Sequence, residues 1–98
     1  MRVSVIGGST TDERSAETAE RLGRALAESG HTVVCGGYGG VMEAACRGAS
    51  EAGGHTIGIL SSDDPGDANP YVDDPIATGL GHARNALVVN TIDRKSVV

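Results

Sequence analysis

From Val33 to Glu43 the chain reads Val-Val-Cys-Gly-Gly-Tyr-Gly-Gly-Val-Met-Glu, an apolar run that bends through four glycines and emerges as a helical pattern. Glycine tolerates positive φ and carries no β-carbon. A glycine bend can therefore turn main-chain N–H groups toward a ligand that side chains would otherwise hold off. The first turn of the following helix adds unpaired N–H donors and the positive end of the helix dipole. The chemistry on offer is recognition of a phosphoryl group or similar anion, with Gly36, Gly37, Tyr38, Gly39 and Gly40 as its residues. Gly39 is expected to be intolerant of a β-branched residue, which resists positive φ and blocks backbone approach. A tight turn with close packing explains part of this pattern, but four glycines in five positions exceed what a turn needs.

A second, weaker glycine turn is Gly7-Gly8, followed by Ser9 and Thr10. The Ser9 and Thr10 hydroxyls suit a phosphate, whereas Asp12 and Glu13 oppose an anion, and the turn reads equally as a helix cap. A dinucleotide fingerprint fails, because its third glycine position after Gly37 and Gly39 is Met42 and the loop follows the second strand. No Gly-Lys-Ser/Thr of a Walker loop occurs.

The elements that must position these residues alternate. Arg2 to Ile6 read as a strand. Thr10 with Glu13 has the capping-box form, and Ala19, Leu22, Gly23 and Leu26 recur at helical spacing, predicting a helix over 12–29 that Gly30 stops. His31 to Cys35 form a second strand. The helix after the glycine bend shows Val41, Ala45, Gly48, Ala49 and Ala52 on one face, and 55–60 form a third strand after Gly53-Gly54. Residues 61–74 are polar, with Asp, Ser, Pro, Gly and Asn, and read as a lid or specificity loop too polar to pack. A short strand over 75–79, a helix over 81–92 with Ala83, Ala86 and Leu87 inward, and a strand beginning at Lys95 complete the pattern.

Such alternation implies an α/β fold: a Rossmann-like three-layer sandwich with a mostly parallel sheet of four or five strands and helices on both faces. Ligands then bind beyond the carboxyl ends of the strands, where both glycine turns fall. The 98 residues suit one small domain, burying roughly 60–68% of the surface its unfolded chain exposes. Without Trp or Phe, and with Tyr38 and Tyr71 as its aromatics, the core must be Val, Ile, Leu and Ala. A homodimer or higher homo-oligomer is the expected source of further stability.

A net charge of −5 with a single lysine argues against nucleic acid and against an anionic membrane surface as partners. No apolar run approaches a spanning helix and no signal-peptide pattern opens the chain, so a cytoplasmic protein is expected. Cys35 and Cys46 have no zinc spacing and read as small buried residues, and His31, His55 and His82 as rim or capping residues. No metal site is expected.

The ordered combination of Gly7-Gly8-Ser9, Leu22-Gly23, Gly30-His31-Thr32-Val33-Val34, Gly36 to Ala45, Gly48-Ala49, Ile57-Gly58-Ile59 and Thr78 to Asn85 resembles the Lonely Guy (LOG)-like Rossmann proteins of the SLOG superfamily. Within it, the likeness is greatest to nucleotide-binding prokaryotic members, related also to molybdenum-cofactor carriers and more distantly to the fold of a DNA-processing protein. The resemblance implies a pocket for a nucleoside 5′-monophosphate, with Thr78 and Gly79 joining the glycine turns. In active members an arginine and a glutamate hydrolyse the N-glycosidic bond, releasing base and ribose 5-phosphate. Arg84 matches that arginine. The family's glutamate belongs to a second glycine motif that would lie past Val98, so the chain reads as a shortened member, and Glu43 reproduces only the glycine-to-glutamate spacing. Two classes of function follow: a phosphoribohydrolase using Arg84 and Glu43, or a noncatalytic carrier or sensor of a nucleotide or molybdopterin-type cofactor. Neither requires a resident cofactor beyond the bound nucleotide or phosphate.

Overall fold

The computed structural model describes residues 2–6, 12–90 and 94–97, with the backbone alone at 6, 89, 90 and 94–97. Its elements in chain order are β1 (Arg2–Ile6), α1 (Glu13–Glu28), β2 (Thr32–Cys35), α2 (Val41–Glu51), β3 (Thr56–Leu60), a 3-10 turn (Pro65–Asp67), β4 (Asp74–Ala77), a second 3-10 turn (Gly81–Arg84), α3 (Asn85–Asn90) and β5 (Arg94–Val97). The five strands form one sheet in the order β4-β3-β2-β1-β5, and every pairing is parallel.

Alternation along the strands sends side chains to two faces. Val5 and Val33 pack with Ala19, Val41, Ala44, Ala45 and Ala49 under α1 and α2, whereas Val34 and Ile59 pack against Val88 of α3 on the other face. Both faces are covered, as an all-parallel sheet requires, and the α/β Rossmann-like sandwich expected from the alternation is the fold observed. Pro75 is accommodated because β4 lies at the sheet edge, where a missing N–H breaks no inner ladder.

Several details differ from the expectations. The cap of α1 is Asp12, whose carboxylate accepts the Ser15 N–H at 2.8 Å, while Thr10 lies outside the described residues. The backbone N–H of Ser15 holds the Asp12 carboxyl below its ordinary value. The inward residues of the last helical segment are Arg84 and Val88, not Ala83, Ala86 and Leu87, which are exposed. The segment begins as a 3-10 turn, which changes the angle per residue and rotates the inward face away from the one an unbroken α-helix would present. Segment 61–73 also packs: Asn69 is buried, and Tyr71 and Val72 cover Cys35, Met42 and Cys46. Its Asn and Asp side chains tie backbone groups, so polarity did not exclude packing.

The absence of large aromatics is met by close approach. A β-carbon on Gly23 would strike the Ala45 carbonyl oxygen, and one on Gly48 the Glu20 carbonyl oxygen, so each helix rests its backbone against the other. Arg47–Glu20 at 3.1 Å and Arg24–Glu51 at 2.8 Å bridge the same helices near the surface, where each pair contributes little. Among the described residues no helix is long and apolar enough to cross a membrane.

Gly23→Ala weighs two effects against each other. Alanine gains roughly 1 kcal/mol of helix propensity over glycine. Here it overpacks against backbone, at roughly 1–3 kcal/mol that no side-chain rotation relieves. The expected outcome is a lower urea midpoint, and a raised midpoint would show that α1 and α2 are not in contact at this depth.

Candidate functional site

Because all strands run parallel, the loops after β2, β3 and β4 gather at one rim of the sheet. The turn Gly7-Gly8-Ser9 lies outside the described residues. The other predicted residues meet there in part.

The bend after β2 is shaped by positive φ at Gly37 (84°) and Gly40 (68°), and Gly39 is not among the positive-φ glycines. The expectation for Gly39 is thus corrected as to backbone conformation. Gly36 is needed for another reason: a β-carbon there would collide with the Arg84 guanidinium and lie 2.7 Å from Met42 Sδ. A β-carbon at Gly37 would lie 2.5 Å from Leu60 Cδ2, with Gly58 Cα close behind. Close packing therefore explains Gly36 and Gly37, while Gly40 starts α2 with no side-chain cap on its N–H groups.

Asn69 fixes which way the bend faces. Its Nδ2 donates to the carbonyl oxygens of Tyr38 (2.8 Å) and Gly37 (3.3 Å), and its own N–H donates to Gly37 O at 2.7 Å. In a planar trans peptide the C=O and the following N–H point in opposite directions. Gripping these two carbonyls therefore turns the Tyr38 and Gly39 N–H groups away from the 61–73 segment. Among the described residues no hydrogen bond is recorded to the amides of Tyr38, Gly39 or Gly40, nor to those of the first turn of α2.

Tyr38 and Arg84 close the other side. The Tyr38 hydroxyl lies 3.1 Å from both the Ser61 and Ser62 backbone nitrogens and 2.9 Å from Ser61 Oγ. Partial burial pushes its phenol up, but the hydrogen bonds with Ser61 and Ser62 outweigh this and hold it below the usual value. Arg84 stacks its guanidinium 5.6 Å from the Tyr38 ring centroid and donates from Nη1 to Ile59 O at 3.1 Å. Its buried Nε has no partner, and no carboxylate among the described residues pairs with it. A cation without a carboxylate partner beside outward-facing amides is an arrangement that attracts negative charge.

Other predicted residues are placed differently. Glu43 is half-buried in the first turn of α2, and no hydrogen bond or ion pair links it to Arg84 or Tyr38. The Thr78 hydroxyl donates to Leu60 O at 2.6 Å and accepts the Leu80 N–H, and Gly79 N–H donates to Ser62 O. These contacts lock the β4 rim onto the β3 rim. Cys35 and Cys46 are fully buried with Sγ atoms 3.4 Å apart. The Cys46 thiol is pushed up by its contact with Cys35 and by burial. His55 sits between Asp74 (2.6 Å) and Asp73 (3.6 Å) at the opposite end of the sheet.

Sequence reasoning missed Asn69, Ser61 and Ser62. A polar loop carries no periodic signal, and only the tertiary contact reveals an asparagine as a clamp.

With this fold and rim, the chain belongs to the SLOG cluster4 family, whose model matches residues 1–97. It is 42% identical over 93 residues to an uncharacterized protein of Archaeoglobus fulgidus, spanning 95% of this chain and 61% of that one. Among solved structures it is similar to the molybdenum cofactor binding protein of Rippkaea orientalis (37% identity, TM-score 0.86, 99% of this chain and 61% of that one). It is likewise similar to the molybdenum cofactor carrier protein of Chlamydomonas reinhardtii (36% identity, TM-score 0.89, 99% and 61%). The chain thus spans about three fifths of the length of these relatives.

Asn69→Ala removes both Nδ2 bonds and the acceptor of the Tyr71 N–H, leaving one backbone bond from position 69 to the bend. The expected loss is about 1–3 kcal/mol of stability with faster amide exchange at Tyr71. An unchanged melting temperature would mean that the clamp contributes nothing.

Proposed function

We propose that this chain binds a small phosphorylated ligand, a nucleotide or a molybdopterin-type cofactor, and carries or senses it without breaking it. The observation that supports this most directly is Arg84, held over Gly36 and Tyr38 without a carboxylate partner, beside a bend whose Tyr38 and Gly39 amides face away from their clamp. Those donors fit a terminal phosphate, the group nucleotides and pterin phosphates share. Likeness to proteins described as molybdenum cofactor carriers supports the same reading.

Hydrolysis of an N-glycosidic bond builds positive charge on the sugar as the base leaves, which calls for a carboxylate beside the ring. Glu43 is the residue the glycine spacing offers, and among the described residues no hydrogen bond or ion pair joins it to Arg84 or Tyr38. Carriage needs tight, uniform binding and no such group.

Titration with AMP and GMP by calorimetry, with chromatography of the same mixtures for free base, tests both parts. Binding without base release is expected. Arg84→Gln should weaken binding roughly 10- to 100-fold, the worth of one or two charge-assisted contacts. Sustained release of adenine or guanine would reject the carrier reading, and unchanged affinity in Arg84→Gln would reject the site. Mass spectrometry of the native protein for a co-purified phosphate compound identifies the ligand class.

A further inference from the structure

The contacts of Tyr38 carry a second consequence for the same rim. Two consecutive backbone amides, those of Ser61 and Ser62, converge on one oxygen atom at 3.1 Å each, and Ser61 Oγ reaches the same atom at 2.9 Å. Consecutive N–H groups aimed at a single point form a concave nest, an arrangement suited to an anionic oxygen. Here the oxygen is the Tyr38 phenol, which accepts both amides and has one proton to share with Ser61 Oγ.

We propose that Ser61 and Ser62 form an oxyanion subsite of the binding rim, held shut by the Tyr38 phenol, and that a phosphoryl oxygen of the ligand takes the phenol's place. This rests on the phosphate-binding reading above. Three features carry it. The nest follows β3, next to β2 in the sheet, so it lies beside the glycine bend. The other partner of the Tyr38 ring is Arg84, so departure of the ring frees a cation and three donors together. N–H donors bind a charged oxygen roughly twice as strongly as a neutral one, so exchanging phenol for phosphate strengthens each bond that it replaces. Tyr38 is thereby an internal stand-in for ligand, and closing the ring keeps the donors satisfied when no ligand is present.

The test uses the full chain with inorganic phosphate and with AMP. Amide resonances of the unmodified protein are followed by two-dimensional NMR during titration. Ser61 and Ser62 are expected to shift with the same midpoint as Gly39, Gly40 and Val41. Tyr38→Phe keeps the ring over which Arg84 stacks and removes the occluding oxygen, so phosphate should bind at least threefold tighter. If the glycine-bend amides shift while Ser61 and Ser62 stay still, or if Tyr38→Phe binds no tighter, the subsite is rejected and the phosphate-binding reading stands. If neither group of amides responds in either protein, both readings fall. The NMR experiment needs no substitution, so a misfolded variant does not protect the proposal.

Discussion

The rim depends on one constraint, the rigidity of the peptide plane. Asn69 holds the carbonyls of Gly37 and Tyr38, and planarity converts that grip into an orientation for the Tyr38 and Gly39 N–H groups on the far side. Without an anchor, a bend with glycine at four of five positions would sample many peptide orientations, since glycine gives up more conformational freedom on ordering than any other residue. The clamp is itself anchored: Asn69 Oδ1 accepts the Tyr71 N–H, and the adjoining Asp73 carboxylate accepts the Thr56 N–H at the start of β3. The segment that first reads as a polar loop is thus a strap, and it aligns donors it never presents itself.

Smallness of side chain is the second constraint, and it serves both layers of the molecule. Between α1 and α2, glycines at 23 and 48 let backbone touch backbone, which compensates for a core without Trp or Phe. At the rim, the missing β-carbon of Gly36 makes room for the Arg84 guanidinium, and that of Gly58 admits Gly37 and Val72. The same residue type thickens the core in one place and lets a charged group lie against the main chain in another. A substitution at either kind of site is felt through backbone contacts, which cannot rotate away.

Much of this was legible in the sequence because period and punctuation coincide. Gly30 and Gly53, both at positive φ, end helices where the apolar spacing also ends, Gly7 follows the strand over 2–6, and the strands over 32–35 and 56–60 are bracketed by glycine or polar residues. The glycine bend and Arg84 at one rim were legible too, the first from composition and the second through family resemblance. What was not legible depends on contacts between distant segments. Asn69 lies more than thirty positions from the carbonyls it holds, Arg84 and Val88 face inward only because a 3-10 turn resets the helix, and Met42 and Cys46 are buried because Tyr71 and Val72 lie over them. No local pattern encodes any of these.

At the rim, unmet polar groups gather on a charged side chain and a helix start, and that combination is informative. Many polar groups in the described residues find partners close at hand: Thr56 bonds Tyr71 and Asp73, Thr78 bonds Leu60, and Asp12 caps α1, whereas Ser4 Oγ in β1 and His31 Nδ1 before β2 are buried without one. At the rim a guanidinium nitrogen is buried without a partner and α2 begins without a side-chain cap. A buried unsatisfied donor costs roughly 1–3 kcal/mol, and an absent N-cap about 1 kcal/mol, against a total stability of roughly 5–15 kcal/mol for a domain. A serine at position 40 could cap α2, but only by giving up the glycine that adopts φ 68° there. A carboxylate beside Arg84 would satisfy it and repel an anion in the same step. Each local repair that would stabilise the chain would also spoil a site for a phosphate, which is the pattern expected where a protein gives up stability for binding.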